Sequence, residues 1–202
     1  MGDFEVSAEQ DQGYHSAHTL SGSRTNALVK DTPISITVVN EELISDLNLD
    51  SIADITSVSA SVTDSGGYAF GSRLAEQQIT LRGLAATSQL YDFFTRRAPQ
   101  DAYNRDRVEI ARGTNTMVFG QSEPGGKANI FPKKAMFAND KRIAEVKAGN
   151  RELTGRMDYN KEINDKLAVR VMASHSLREA DEAHAEKKFD GVTTAITYRP
   201  TR

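Results

Sequence analysis

The chain has 202 residues, no cysteine or tryptophan, 38% hydrophobic and 7% aromatic residues, and a formal net charge of −3. That length holds one domain with a core, or one domain and part of a second, and the lack of cysteine excludes a disulfide framework, a thiolate metal site and a cysteine nucleophile. The mildly acidic balance gives no electrostatic footprint for nucleic acid, and no run approaches the ~18 apolar residues of a membrane-crossing helix, although short alternating barrel strands stay possible.

The charge is uneven. Residues 1–139 carry 12 basic and 17 acidic side chains, whereas residues 140–202 carry 13 and 11. Two kinds of structure are therefore expected in one chain. Residues 1–30 are polar and read as an extended or flexible lead, with "FEVSA" (4–8) as its strand-like piece. The opening lacks a basic n-region and an apolar h-region, so no secretory signal is expected within this chain.

Regular structure is predicted from residue 31. The β-branched "ISITVV" (34–39), approached through Pro33, reads as a buried strand. Asn40 is placed to cap a helix opening on Glu41 and Glu42, with Leu43, Ile44 and Leu47 as its apolar face. Asp50 or Ser51 caps a second short helix through Ile52 and Ile55, and residues 59–77 read as loop. "QQITLRG" (77–83) is a strand, and "DAYNRDRVEIARG" (101–113) a helical turn followed by a strand with Val108 and Ile110 on one face. "NTMVF" (115–119) reads as one helical turn and "KANIF" (127–131) as a last strand. Mixed elements with long connections give a small α+β domain.

From residue 141 the pattern becomes runs of about ten residues separated by turns. In "KLAVRVMASHSL", Leu167, Val169, Val171, Ala173 and Leu177 share one face and Arg170, Ser174 and Ser176 the other. An outer-membrane barrel and an ordinary soluble antiparallel sheet both produce this alternation.

The ordered set "DTPISITVV", "ITLRG", "RVEIARG" and "FGQSEPGGKANI" resembles the plug domain of TonB-dependent outer-membrane receptors. Asp31, Pro33, Arg82, Gly83, Arg107, Glu109, Arg112, Gly113, Gly120, Pro124, Gly125, Gly126, Asn129 and Ile130 carry the likeness. Thr114 stands where the family usually has proline. The resemblance implies a lead at 1–30 with a possible TonB box, a plug at 31–134 and the first strands of an incomplete transmembrane barrel at 135–202. The expected fold class is accordingly a small mixed-sheet plug followed by antiparallel barrel strands. A family barrel has many more strands than this chain supplies, so a truncated receptor is expected.

The resemblance also implies roles. Phe4, Glu5, Val6, Ser7 and Ala8 would contact the energy-transducing protein TonB as an added strand. Arg82, Glu109 and Arg112 would meet the barrel wall. Tyr68, Phe70, Arg73, Phe93, Phe94, Arg96 and Arg97 would lie in ligand-facing loops, where aromatic rings and guanidinium groups suit an anionic or ring-bearing ligand. The expected ligand is a metal-siderophore, cobalamin or glycan, and the expected location the bacterial outer membrane. The alternative is a free-standing soluble periplasmic ligand-binding module that reuses the plug fold, with 141–202 as a genuine small sheet.

The residues themselves support no chemistry. The glycines of 113–126 lack the G-x-x-x-x-G-K-[ST] order of a phosphate loop, since Lys127 is followed by Ala128. His15 and His18 are three apart and His175 and His184 lie far away, so surface histidines are expected in place of a metal site. No nucleophile–base arrangement stands out, so neither enzyme activity nor a cofactor or metal is expected.

Overall fold

The computed structural model describes residues 13–21, 25, 27–52, 54–60, 62–64, 79–84, 89–95, 102–113, 125–179 and 186–200. Contacts divide the chain into two units, Met1–Pro132 and Lys133–Arg202. In chain order the first contains β1 (His18–Thr19), β2 (Ala27–Leu28), β3 (Ser35–Asn40), helix α1 (Glu41–Asp46), β4 (Val62–Asp64), β5 (Ile79–Leu81), β6 (Leu90–Tyr91), β7 (Phe94–Thr95), β8 (Arg105–Arg112) and β9 (Gly126–Pro132). The second contains β10 (Lys141–Ala148), β11 (Glu152–Asn164), β12 (Leu167–Glu179) and β13 (Glu186–Tyr198).

The first unit is built on a five-stranded mixed sheet in the order β3-β8-β9-β6-β7, with β6 parallel to β9 and the other pairs antiparallel. Val39, Val108, Ile110, Ala128 and Ile130 form its apolar face. Against them pack Ile44 of α1, Leu49, Ile52, Ile55, and Val62, Ile79 and Leu81 of the β4–β5 pair. The predicted cap is present: Asn40 Oδ1 accepts from the Leu43 amide at 3.0 Å, and Glu41 and Glu42 occupy the first turn. Only six residues long, α1 buries Ile44 but ends before Leu47, which is half exposed. The predicted second helix is a single 3-10 turn, Asp54–Ser57, closed by reciprocal bonds from the Ser51 amide to Asp54 and from the Asp54 amide to Ser51.

The loop reading of 59–77 fails at Val62–Asp64, which form β4 and pair with β5, and three further local expectations change. First, Phe93 and Phe94 do not lie in a plain loop, because β6 and β7 form a hairpin with a two-residue turn that extends the sheet beyond β9. Its central residues, Asp92 and Phe93, have φ of 48° and 70°, the conformation that such a turn demands and that asparagine or glycine normally supplies. The Phe93 amide donates to Asn129 Oδ1 at 3.1 Å and its ring meets Phe131 edge-on at 5.4 Å, which holds the turn despite its sequence. Second, β8 buries both faces and not only the Val108–Ile110 side: Arg105, Arg107 and Glu109 are each 2% exposed or less. Third, part of the lead is folded. Here β1 pairs with β2, Asn40 Nδ2 donates to the Gly13 carbonyl at 2.8 Å, and Tyr14 Oη donates to Asp46 at 2.9 Å. That hydrogen bond, with the Asp46 charge, raises the Tyr14 phenol above its usual range. The "NTMVF" turn lies outside the described residues.

The second unit is an antiparallel sheet, β10-β11-β12-β13. Three of its strands have 13 residues, more than the ~9–11 that a tilted strand needs to cross a membrane. Its sidedness is inverted relative to a soluble protein. On β12, Ala168, Arg170, Met172, Ser174 and Ser176 are buried, while Leu167, Val169, Val171 and Ala173 are only half-buried and Leu177 is exposed. Cross-strand pairing continues that outer face through Met157 and Tyr159 of β11 and through Val192, Ile196 and Tyr198 of β13, all exposed.

Candidate functional site

The polar face of the β8–β9 ladder carries the most concentrated chemistry of the first unit. Glu109 sits opposite Asn129 at the middle of β8, with no solvent exposure. A buried carboxylate persists only where donors replace its water. The donors come from the lead. Thr19 Oγ1 donates to Glu109 Oε2 at 2.7 Å, the Ser21 amide to the same oxygen at 2.8 Å, and the Leu20 amide to both oxygens at 3.2 Å. The Ser21 amide also donates to Thr19 Oγ1 at 3.1 Å, folding the three residues into a turn around the carboxylate. Thr19 is fully buried and Ser21 2% exposed. This is a clasp in which the interior strand β8 holds the chain some ninety residues upstream through two main-chain amides and one hydroxyl.

The three residues expected to face a barrel wall do not form one cluster. Glu109 points to the polar face and into the clasp. Arg112 lies at the end of β8 toward the core face, where it donates to Ser35 Oγ at 3.2 Å, Thr37 Oγ1 at 2.6 Å and Ser59 Oγ at 3.1 Å. It thereby ties the end of the 3-10 segment to β3. Arg82 occupies the exposed turn after β5 with φ of 57°. Of the expected loop residues, Phe93 is partly buried against Phe131 and Phe94 is 77% exposed at the hairpin tip. Tyr68, Phe70, Arg73, Arg96 and Arg97, and the expected TonB-contact residues Phe4, Glu5, Val6, Ser7 and Ala8, lie outside the described residues. Thr19 and Ser21 were missed by sequence reasoning, since a Thr-x-Ser triplet in a polar lead carries no signal of its own.

The arrangement can hold and release a chain segment; it offers no catalytic constellation. Among the described residues no group of three or more His, Cys, Asp or Glu side chains could hold a metal ion.

Comparison with known proteins agrees with this geometry. Residues 28–127 match the family described as TonB-dependent Receptor Plug Domain. The chain is 26% identical over 199 residues to the ferrichrome outer membrane transporter/phage receptor of Escherichia coli K12, covering 90% of this chain and 26% of the relative. It is also 26% identical over 193 residues to the probable TonB-dependent siderophore receptor PiuA of Acinetobacter baumannii, covering 90% and 25%. Among solved structures, Pseudomonas aeruginosa FpvA bound to a heterologous pyoverdine superposes with a TM-score of 0.83 at 20% identity, over 94% of this chain and 26% of that one. The structure of PiuA from A. baumannii gives 0.76 at 25% identity, over 85% and 25%. The chain thus spans about a quarter of the length of the curated relatives it matches. With its mixed-sheet plug followed by antiparallel strands that turn their apolar side outward, the chain belongs to the TonB-dependent outer-membrane receptors.

Proposed function

We propose that this chain contributes the pore-closing plug and the first wall strands of an outer-membrane receptor that imports metal-siderophore complexes, driven by TonB. The carrying observation is the sidedness of β11 and β12, where Thr154, Asp158, Asn160, Arg170, Ser174 and Ser176 are buried while Leu153, Met157, Tyr159 and Leu177 are exposed, an outer face that Val192, Ile196 and Tyr198 of β13 continue. A soluble periplasmic module would bury that apolar face, because leaving it in water forfeits ~25 cal/mol per Å2. In lipid the same face is at home and tyrosines mark its border. The names of the relatives support a siderophore over cobalamin or a glycan: one transports ferrichrome and another is a catecholate siderophore receptor. Phe94 and its loop neighbours are assigned to ligand contact, and exposed Arg82 to the wall of the assembled receptor.

The test is uptake. Iron-starved cells lacking their own siderophore receptors and expressing the full receptor that contains this chain should accumulate radio-iron from a panel of ferric hydroxamate and catecholate chelates only when TonB is present. Uptake indifferent to TonB, or absent for the whole panel, rejects the reading.

The TonB contact is assigned to Phe4–Ala8, which would add to a sheet edge of TonB through main-chain hydrogen bonds. A peptide of residues 1–14 is expected to bind the C-terminal domain of TonB weakly in a calorimetric titration. Val6→Pro should remove that binding, because proline has no amide to donate; equal binding by both peptides would place the contact elsewhere.

A further inference from the structure

The chain leaves β9 at Pro132 and enters β10 at Lys141, and the segment between carries no regular structure. An ordinary linker of this kind would be solvated. Residues Lys133–Asn139 are instead fastened across the polar face of the β11–β13 sheet. Asn160, fully buried, accepts from the Met136 amide at 2.9 Å and donates to the carbonyls of Met136 at 3.0 Å and Asn139 at 2.5 Å. Glu162 Oε2 accepts from the Ala138 amide at 2.7 Å, and Thr197 Oγ1 donates to the Ala135 carbonyl at 2.7 Å. Arg170, 1% exposed, grips Asp158 with two bonds of 2.8 and 2.6 Å and donates a third to the Lys134 carbonyl at 3.2 Å. Lys133 Nζ lies 3.4 Å from Asp158, and the Arg199 guanidinium stacks over the Phe137 ring at 4.1 Å.

Two features separate this from chance contact. Most of the recognition is directed at the main chain, through the amides of Met136 and Ala138 and the carbonyls of Lys134, Ala135, Met136 and Asn139, so it reads chiefly the path of the segment. Ala138 is held at φ of 56°, a conformation that a non-glycine residue keeps only where its surroundings over-determine it.

We infer that Lys133–Asn139 is a staple belonging mechanically to the β10–β13 sheet, so that displacement of the first unit by a pull on its N-terminal end stops at Pro132. The staple fixes how much chain can be drawn out and keeps the plug tethered for return. Only the direction of pull rests on the uptake reading; the staple itself is measurable without transport.

The experiment is native-state hydrogen exchange on the full chain refolded in detergent, over a rising denaturant series. Expected is that the Met136 and Ala138 amides stay protected after the β8 and β9 amides have opened, and are lost together with those of β11 and β12. Asn160→Ala should speed Met136 exchange at least tenfold with the paired β11–β12 amides unchanged. Lys161→Ala, on the opposite face of the same strand, should alter neither. If Asn160→Ala loosens the sheet itself, Glu162→Ala poses the same question at Ala138 alone. The inference is overturned if the staple amides open with β8 and β9 in the native sequence, or if the variant that keeps its sheet leaves their rates unchanged. Failure of uptake with the staple intact would reject the transport reading and leave this one standing.

Discussion

Glu109→Ala is expected to destabilise the first unit by about 4 kcal/mol and to detach residues 19–21 from the sheet. The estimate follows from what the substitution strands. Three donors, the buried Thr19 hydroxyl, the buried Ser21 amide and the part-buried Leu20 amide, lose the Glu109 acceptor, and the Ser21 amide keeps only Thr19 Oγ1. Each orphaned group costs ~1–3 kcal/mol, offset in part by release of a desolvated carboxylate. Glu109→Gln keeps one carbonyl acceptor in the same shape and should cost about half as much. Urea unfolding gives the energies, and amide exchange at Leu20 and Ser21 gives the signature. Both amides should become fast in Glu109→Ala while the Val108 amide stays slow in the absence of denaturant. Unchanged exchange at those two amides would show that the clasp does not hold the segment.

The clasp has a consequence for a receptor pulled from its N-terminal end. Among the described residues the lead is fastened to the five-stranded sheet first at β3, where Asn40 holds the Gly13 carbonyl, and then at β8, where Glu109 holds Thr19, Leu20 and Ser21. β8 is paired on both sides, with β3 and β9, and contributes Val108 and Ile110 to the apolar face. The clasp therefore either yields first, sparing the sheet, or draws on a strand held by two ladders. A set of four hydrogen bonds on one carboxylate is weaker than two full ladders, so yielding first is the expected order.

Much of this was legible in the residues. The β-branched run at 34–39, the Asn40 cap and the Val108–Ile110 strand follow from local rules that tertiary contacts did not override. The ten-residue alternation beyond residue 141 was equally plain, but its sense was not. Periodicity says that Val169 and Arg170 face opposite ways; it does not say which side meets protein and which meets lipid. That answer came from burial, with Arg170 inside and Val169 out. The hairpin at 90–95 was hidden because its strands have two residues each and its turn uses Asp92-Phe93, where Asp-Gly would have announced it. The clasp was illegible for another reason: it joins Thr19 to Glu109 across ninety positions, and nothing local distinguishes a carboxylate awaiting main-chain amides from one awaiting solvent or a wall.

Gly126→Ala is the substitution expected to damage the first unit most after Glu109→Ala, at about 3 kcal/mol or more. Gly126 opens β9 at φ of 127°, a region closed to side chains, and a methyl group there would overlap the carbonyl oxygen of Ala111 and lie 3.0 Å from the Arg112 Cα. Both obstacles are backbone of the partner strand, so no side chain can swing aside. Relief requires β9 to move off β8 where Gly126 pairs with Arg112, which drags Ala128 and Ile130 from the core. Gly83→Ala is the control. Gly83 also has positive φ, 72°, but an added methyl group meets nothing within 4 Å, so only the conformational cost of about 1 kcal/mol remains. In thermal unfolding the expected falls are about 12 °C or more for Gly126→Ala and about 4–8 °C for Gly83→Ala. Equal falls would mean that the glycines of 125–126 serve as flexible hinges and not as the points where two strands come too close for any side chain.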